Sequence, residues 1–301
     1  MRTTAGYFFM AIYQKPPLTI PQVLEHLKAQ GLSYEPTALT QKLSLVSYHR
    51  LSAYFTTFYL ADSQDFQPEV TFDDIWQLYE FDRLLRHLVS EALEPIEVAF
   101  RTAISEKLSH QYGTHWFLKP ELFKQPAFQS KLTIQMKDIC SLGSDPDIKR
   151  YMSRYSEPLL PPSWLMVEKL SFGACVNIFR YLKHLKDKKA ISSLFDYHPT
   201  ALESWFEALR YTRNLCAHHE RLWNRWFVWS PKLDYLYQHA DQFKNSFYAQ
   251  ALIIDRLLHP ILPDLRWKER LYSLMEANTF LPFEHMGFQA NWKQDSFWEK
   301  N

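Results

Sequence analysis

Apolar side chains recur at helical spacing along nearly the whole chain. The clearest run is Leu202, Trp205, Phe206 and Leu209, at i, i+3, i+4 and i+7. It predicts a helix that starts near residue 200 and continues into Tyr211–His219, with Trp205 and Phe206 in the core. Thr200 and Glu203 have the spacing of a capping box. A longer amphipathic segment opens at Thr71, with Asp73 and Asp74 in its first turn to complement the helix dipole. It carries Phe72, Ile75, Trp76 and Tyr79, then Leu84, Leu85, Leu88 and Leu93. Pro95 predicts a kink or a new helix running through Phe100 and Leu108 to Gly113. Ahead of it stand three short helices. One begins at Thr19 and Pro21 and stops at Gly31, one begins at Thr37, and one covers Leu51 to Leu60. Lys119 to Pro162 is more polar, with a loop signal at 141–146. Ser163 then predicts the cap of a helix through Leu170 towards Leu182, followed by a lysine-rich turn from Lys183 to Lys189.

The pattern predicts an all-α protein. A small helical lead-in covers residues 1–65 and a helical domain covers 66–301, with one continuous domain over 14–298 as the alternative. Composition agrees with this. The 6 glycines are scattered singly, which disfavours a turn-dense β protein and excludes the clustered glycines of dinucleotide or Walker loops. Cys140, Cys175 and Cys216 are isolated, so neither a disulfide framework nor a CxxC zinc clamp is available, and free thiols suit a reducing cytosol. No run reaches the roughly 18 apolar residues that span a bilayer. The apolar stretch Gly6 to Tyr13 ends in Lys15-Pro16-Pro17 without a small-x-small cleavage site. It reads as the N-terminal arm of a soluble cytoplasmic protein with no membrane partner.

A formal net charge of +1 conceals opposed regions. Residues 71–110 hold 4 basic and 8 acidic side chains, whereas 111–232 hold 18 basic and 11 acidic, a net of +7. The basic region contains Arg213-Asn214-Leu215-Cys216-Ala217-His218, then His219-Glu220-Arg221-Leu222-Trp223-Asn224-Arg225. Arginine grips phosphate bidentately and keeps its charge. Histidine gives or takes a proton near neutral pH. Together they suit metal-free cleavage of RNA, in which the histidine serves the 2′-hydroxyl or the leaving 5′-oxygen and the arginine stabilises the phosphate. On a helix, Arg213 and His218 lie about 140° apart, while Asn214 and His218 share a face. A composite site therefore needs two copies about a twofold axis, unless the helix ends between the two residues.

The stretch Tyr211–Arg225 resembles the signature of the Abi family, the AbiD/AbiF-like abortive-infection proteins of phage defence. Other stretches agree in order: Lys15–Thr19, Tyr48–Tyr54, Leu78–Arg86, Ile96–Thr102, Tyr112–Trp116, and Met286–Phe288 with Trp292 and Trp298. The similarity runs over roughly residues 14–298. It implies a HEPN-like helical bundle whose usual activity is metal-independent endoribonuclease action at a homodimer interface. By this resemblance Arg213 and His218 are catalytic and Asn214 fills the family's polar position; beside them His219 is expected in support, and Arg210, Arg221, Asn224 and Arg225 are expected to grip the RNA. No cofactor or metal is implied. Cys216, His218 and His219 lack metal-ligand spacing.

Simpler roles stand beside these. Arg213 would pair with Glu207 or Glu220, and His218 would be a helix-end histidine. Arg221, Asn224 and Arg225 would cap and solvate the helix end. Trp223, Trp226 and Trp229 would stack bases or be buried. Glu94, Glu97 and Arg101 read as a structural network at i, i+3 and i+4 spacing. The expected function is a homodimeric, cytoplasmic ribonuclease toxin of phage defence, leaving a 2′,3′-cyclic phosphate and a 5′-hydroxyl. An RNA or protein antitoxin would restrain it. The alternatives are a non-catalytic RNA-binding protein, held for instance by a small structured RNA, and a protein-interaction module that senses a phage component.

Overall fold

A computed structural model describes residues 16–233 and 243–298; the apolar stretch Gly6 to Tyr13 lies outside the described residues. The described residues form twelve α-helices joined by short 3₁₀ turns, with no β-strand beyond isolated bridges. The fold is all-α. Among them no helix is long and apolar enough to cross a membrane. Two compact units divide the chain, the first ending at Glu80 and the second beginning at Phe81.

The first unit contains α1 (Ile20–Ala29), α2 (Pro36–Leu45), α3 (Tyr48–Phe55) and the opening turns of α4 (Phe72–Tyr112). Thr19 caps α1 through a capping box with Gln22, and Gly31 leaves the helix with φ 88°, a conformation that favours glycine. The third helix begins three residues earlier than its apolar pattern suggests. The Ser47 side chain accepts the Arg50 N–H and so fixes the start. Phe55 and Phe66 meet edge to face, and both are buried.

The second unit takes the rest of α4, then α5 (Pro126–Leu142), α6 (Pro146–Arg154), α7 (Ser163–Lys169), α8 (Phe172–Tyr181) and α9 (Leu185–Ser192). After these come α10 (Pro199–Ala217), α11 (Phe247–Leu258) and α12 (Trp267–Glu276). α4 runs through Pro95 as one helix. The proline removes one backbone hydrogen bond, but Leu93, Ile96 and Phe100 are buried on either side, and packing holds the helix together. The helix expected from Ser163 to Leu182 is two helices. Ser171 accepts the Ala174 N–H and opens α8, while the Ser163 hydroxyl is buried against those of Ser105 and Ser109. The expected lysine-rich turn is α9. Its Lys188 is buried and donates to the Arg180 carbonyl and Glu203. Glu203 is therefore not half of a capping box, and His198 caps α10 instead, its Nδ1 accepting the Thr200 N–H.

α10 packs against α8, α9 and α11. At its centre Phe206 stacks on Phe100 with ring centroids 3.9 Å apart. Phe172, Phe179 and Phe195 surround it edge to face. Trp205 and Phe206 are fully buried, as the apolar stripe requires. Replacing Phe206 by Ala should cost about 3–5 kcal/mol of unfolding free energy. A urea titration checks this, and a loss below about 1 kcal/mol would place Phe206 outside the core.

Candidate functional site

The last turn of α10 closes on residues that also carry the candidate chemistry. His218 is its C-cap, and its N–H still bonds the Asn214 carbonyl at 3.0 Å. The His219 N–H then reaches the Cys216 carbonyl at 3.0 Å and the Glu220 N–H reaches Leu215 at 2.8 Å. These two bonds make a Schellman motif, whose left-handed position usually holds glycine. Here it holds His219, at φ 56°. His218, His219 and Asn214 are exposed. Cys216 points the other way, and burial pushes its thiol up to about 12, so it is neutral and inert near pH 7.

Beyond the cap the chain is held by one carboxylate. Asp82, on α4, has no solvent exposure. Its Oδ1 accepts the N–H groups of Leu222 and Trp223 at 3.1 and 2.8 Å, and its Oδ2 pairs with Arg86 one turn along. Trp223 is thereby fixed in the core, edge to face with Phe81 and Phe283. It is not available to stack a base. Trp226 and Trp229 are exposed.

A second acid–base pair on the same helix reaches Arg213. Glu97 Oε1 pairs with Arg101, which is buried and donates to the Val167 and Leu170 carbonyls at 2.8 and 2.6 Å, where α7 ends. Glu97 Oε2 lies 3.6 Å from Arg213 Nε. Arg213 therefore pairs with neither Glu207 nor Glu220, which are taken by Arg210 and Arg225. Of the network expected from Glu94, Glu97 and Arg101, the Glu97–Arg101 pair is formed and extends to Arg213, while Glu94 lines the same cleft. These residues line a cleft of about 390 Å³ together with Ser90, Glu94, Glu168 and Ala217. Three carboxylates and two guanidiniums face it, and of the two guanidiniums Arg101 is buried while Arg213 is exposed.

Arg213 and His218 do not share a face. The helix ends between them, at Ala217, but only one residue short of His218, whose backbone still follows the helical bond pattern. The other expected contact residues are held locally. Arg225 donates to Tyr211 Oη at 3.3 Å and pairs with Glu220 at 2.8 Å. Arg221 donates to the Asn224 carbonyl at 3.4 Å, and Asn224 is left-handed at φ 45°. Arg210 lies over Gly173, where an added Cβ would sit 3.0 Å from its Cδ. Among the described residues no group of three His, Cys, Asp or Glu side chains is placed to hold a metal ion. Sequence reasoning missed Asp82. Its signal was an acid four residues ahead of an arginine on the apolar face of a long helix, the spacing that Glu97 and Arg101 repeat.

The family model described as Abi-like protein matches residues 41–224, more than half of the chain. The chain belongs to the Abi-like protein family. That membership suggests abortive infection, a form of phage defence. The matched region contains both acid–base pairs of α4 and the whole of the α10 end, and stops before Trp226 and Trp229. No curated protein and no solved structure matches this Abi-like chain. The left-handed histidine offers a direct check on the helix end. His219→Gly should raise stability by about 1 kcal/mol, because glycine relieves the Cβ clash at that position. Equal or lower stability in a urea titration would mean that contacts of the imidazole outweigh the backbone strain.

Proposed function

We propose that this Abi-like protein is a metal-independent, HEPN-type endoribonuclease of the cytoplasm, a phage-defence toxin that works as a homodimer. The observation that carries the reading is the exposed Arg213, oriented by Glu97 at the rim of a cleft and five residues from the exposed His218. The RNA 2′-oxygen attacks phosphorus, and the bond from phosphorus to the 5′-oxygen breaks. His218 handles the proton leaving the 2′-hydroxyl or the one arriving on the 5′-oxygen. Arg213 neutralises charge on the phosphate through its terminal amines, while Glu97 holds its Nε edge. The products are a 2′,3′-cyclic phosphate and a 5′-hydroxyl.

Two copies satisfy a geometry that one copy does not. Arg213 and His218 point about 140° apart on one helix, and a twofold axis brings each towards its counterpart. Asn214 and His219 support His218 from the same turn, and an RNA or protein antitoxin would hold the activity in check.

The test is incubation of purified protein with total RNA in EDTA. Wild type should cleave, and Arg213→Ala and His218→Ala should each lose about 10²–10⁴-fold in rate. Glu97→Gln should lower kcat by about ten- to a hundredfold with a smaller change in KM, because it misplaces Arg213 without removing it. An inactive wild type, or either alanine variant cutting at full rate, contradicts the reading.

A further inference from the structure

The segment after α10 is pinned at three points and displays large apolar side chains between them. Asp82 holds Leu222 and Trp223. The Phe227 N–H donates to the Asn245 carbonyl at 2.8 Å, and Asn245 Nδ2 returns a bond to Phe227. The Lys232 N–H donates to Ser204 Oγ at 2.9 Å, while its carbonyl accepts the Trp205 indole N–H at 2.7 Å. Between the last two pins Val228 and Trp229 are 62% and 44% exposed, and Trp226, just before them, is 72% exposed. A single exposed apolar side chain needs no explanation, but three within four residues on a fixed backbone form a patch.

Trp229 forms one wall of a groove of about 270 Å³ against the first half of α10. Arg180, Lys232, Thr200, Ser204 and Ser230 line the rest. Glu203 and Glu207 also face it, but Lys188 and Arg210 pair with them, so among the described residues Arg180 and Lys232 leave the groove positive. An aromatic wall, two cations and hydroxyls are what single-stranded nucleic acid uses: a base stacks and its phosphates are neutralised. From this groove an unburied stripe runs along α10 through Thr200, Ser204, Glu207, Tyr211, Asn214 and His218. These steps of three or four residues keep one face of the helix. Ser204 and His218 are thus about 21 Å apart along the axis.

We propose that the groove is a subsite for single-stranded RNA, with Trp229 stacking a base and Arg180 and Lys232 holding its phosphates, several nucleotides from the one presented to His218. This rests on the ribonuclease reading for the fate of the bound strand, but not for its binding. The probe is a fluorescent oligouridylate with 2′-O-methyl sugars, which lacks the 2′-hydroxyl nucleophile and cannot be cut. Fluorescence anisotropy reads its affinity.

Trp229→Ala should weaken binding about five- to a hundredfold, and Trp229→Phe should restore most of it. Arg180→Ala and Lys232→Ala should each lower the salt slope by about 0.7. A duplex of the same length should compete poorly. Unchanged affinity in all three alanine variants overturns the subsite; a Trp229→Ala protein that binds RNA normally but changes oligomeric state also overturns it and assigns the patch to a protein contact. Groove-dependent binding by a wild type that cuts no RNA would uphold the subsite while the ribonuclease reading fails. Cleavage with groove-independent binding would do the reverse.

Discussion

A carboxylate sealed from water is the constraint on which the α10 end depends. Stripping Asp82 of solvent costs several kcal/mol unless charge and hydrogen bonds replace the water. Arg86 supplies the charge, and the amides of Leu222 and Trp223 supply the bonds. The dependence is mutual, because those buried amides need an acceptor as much as the carboxylate needs donors. Wherever Asp82 sits, residues 222 and 223 must follow. That in turn fixes where the helix-end residues stop and where the exposed tryptophan segment begins.

The same helix repeats the device at Glu97 and Arg101, with a different outcome. Here the arginine is the buried partner, locked to the carbonyls at the end of α7, and the carboxylate keeps one oxygen for Arg213. Asp82 and Glu97 are fifteen residues apart, about 60° around the helix, so both pairs lie towards one side of α4. One pair fixes the backbone after α10 and the other fixes a side chain on it. The separation between them is set by a single continuous helix that passes through a proline.

Much of the fold was legible from periodicity. The Leu202–Leu209 stripe gave the core face of α10, and scattered glycines pointed away from β structure. Boundaries were less legible where side chains made unexpected tertiary bonds. Ser163 looked like a cap and is a buried hydroxyl; Glu203 looked like part of a capping box and is the partner of Lys188. For the candidate site, the Arg213–His218 turn was visible as a motif. Its supports were not, because a surface pairing of Arg213 with Glu207 or Glu220 is local in sequence, whereas Glu97 lies on another helix. The three tryptophans behave differently for the same reason. Trp223 is held inward by the hydrogen bond from its backbone N–H to Asp82, whereas Trp226 and Trp229 lie beyond that anchor and are exposed.

Hydrogen exchange at the amides of Leu222 and Trp223 tests the role of Asp82 most directly. In the wild type both lie outside any helix, yet each should exchange far more slowly than an exposed loop amide. In Asp82→Ala their protection should fall by orders of magnitude while the amides of α11 keep theirs under conditions that leave the protein folded. Unchanged protection at both amides would contradict the account. It would mean that packing of Trp223, and not the buried carboxylate, fixes the end of α10.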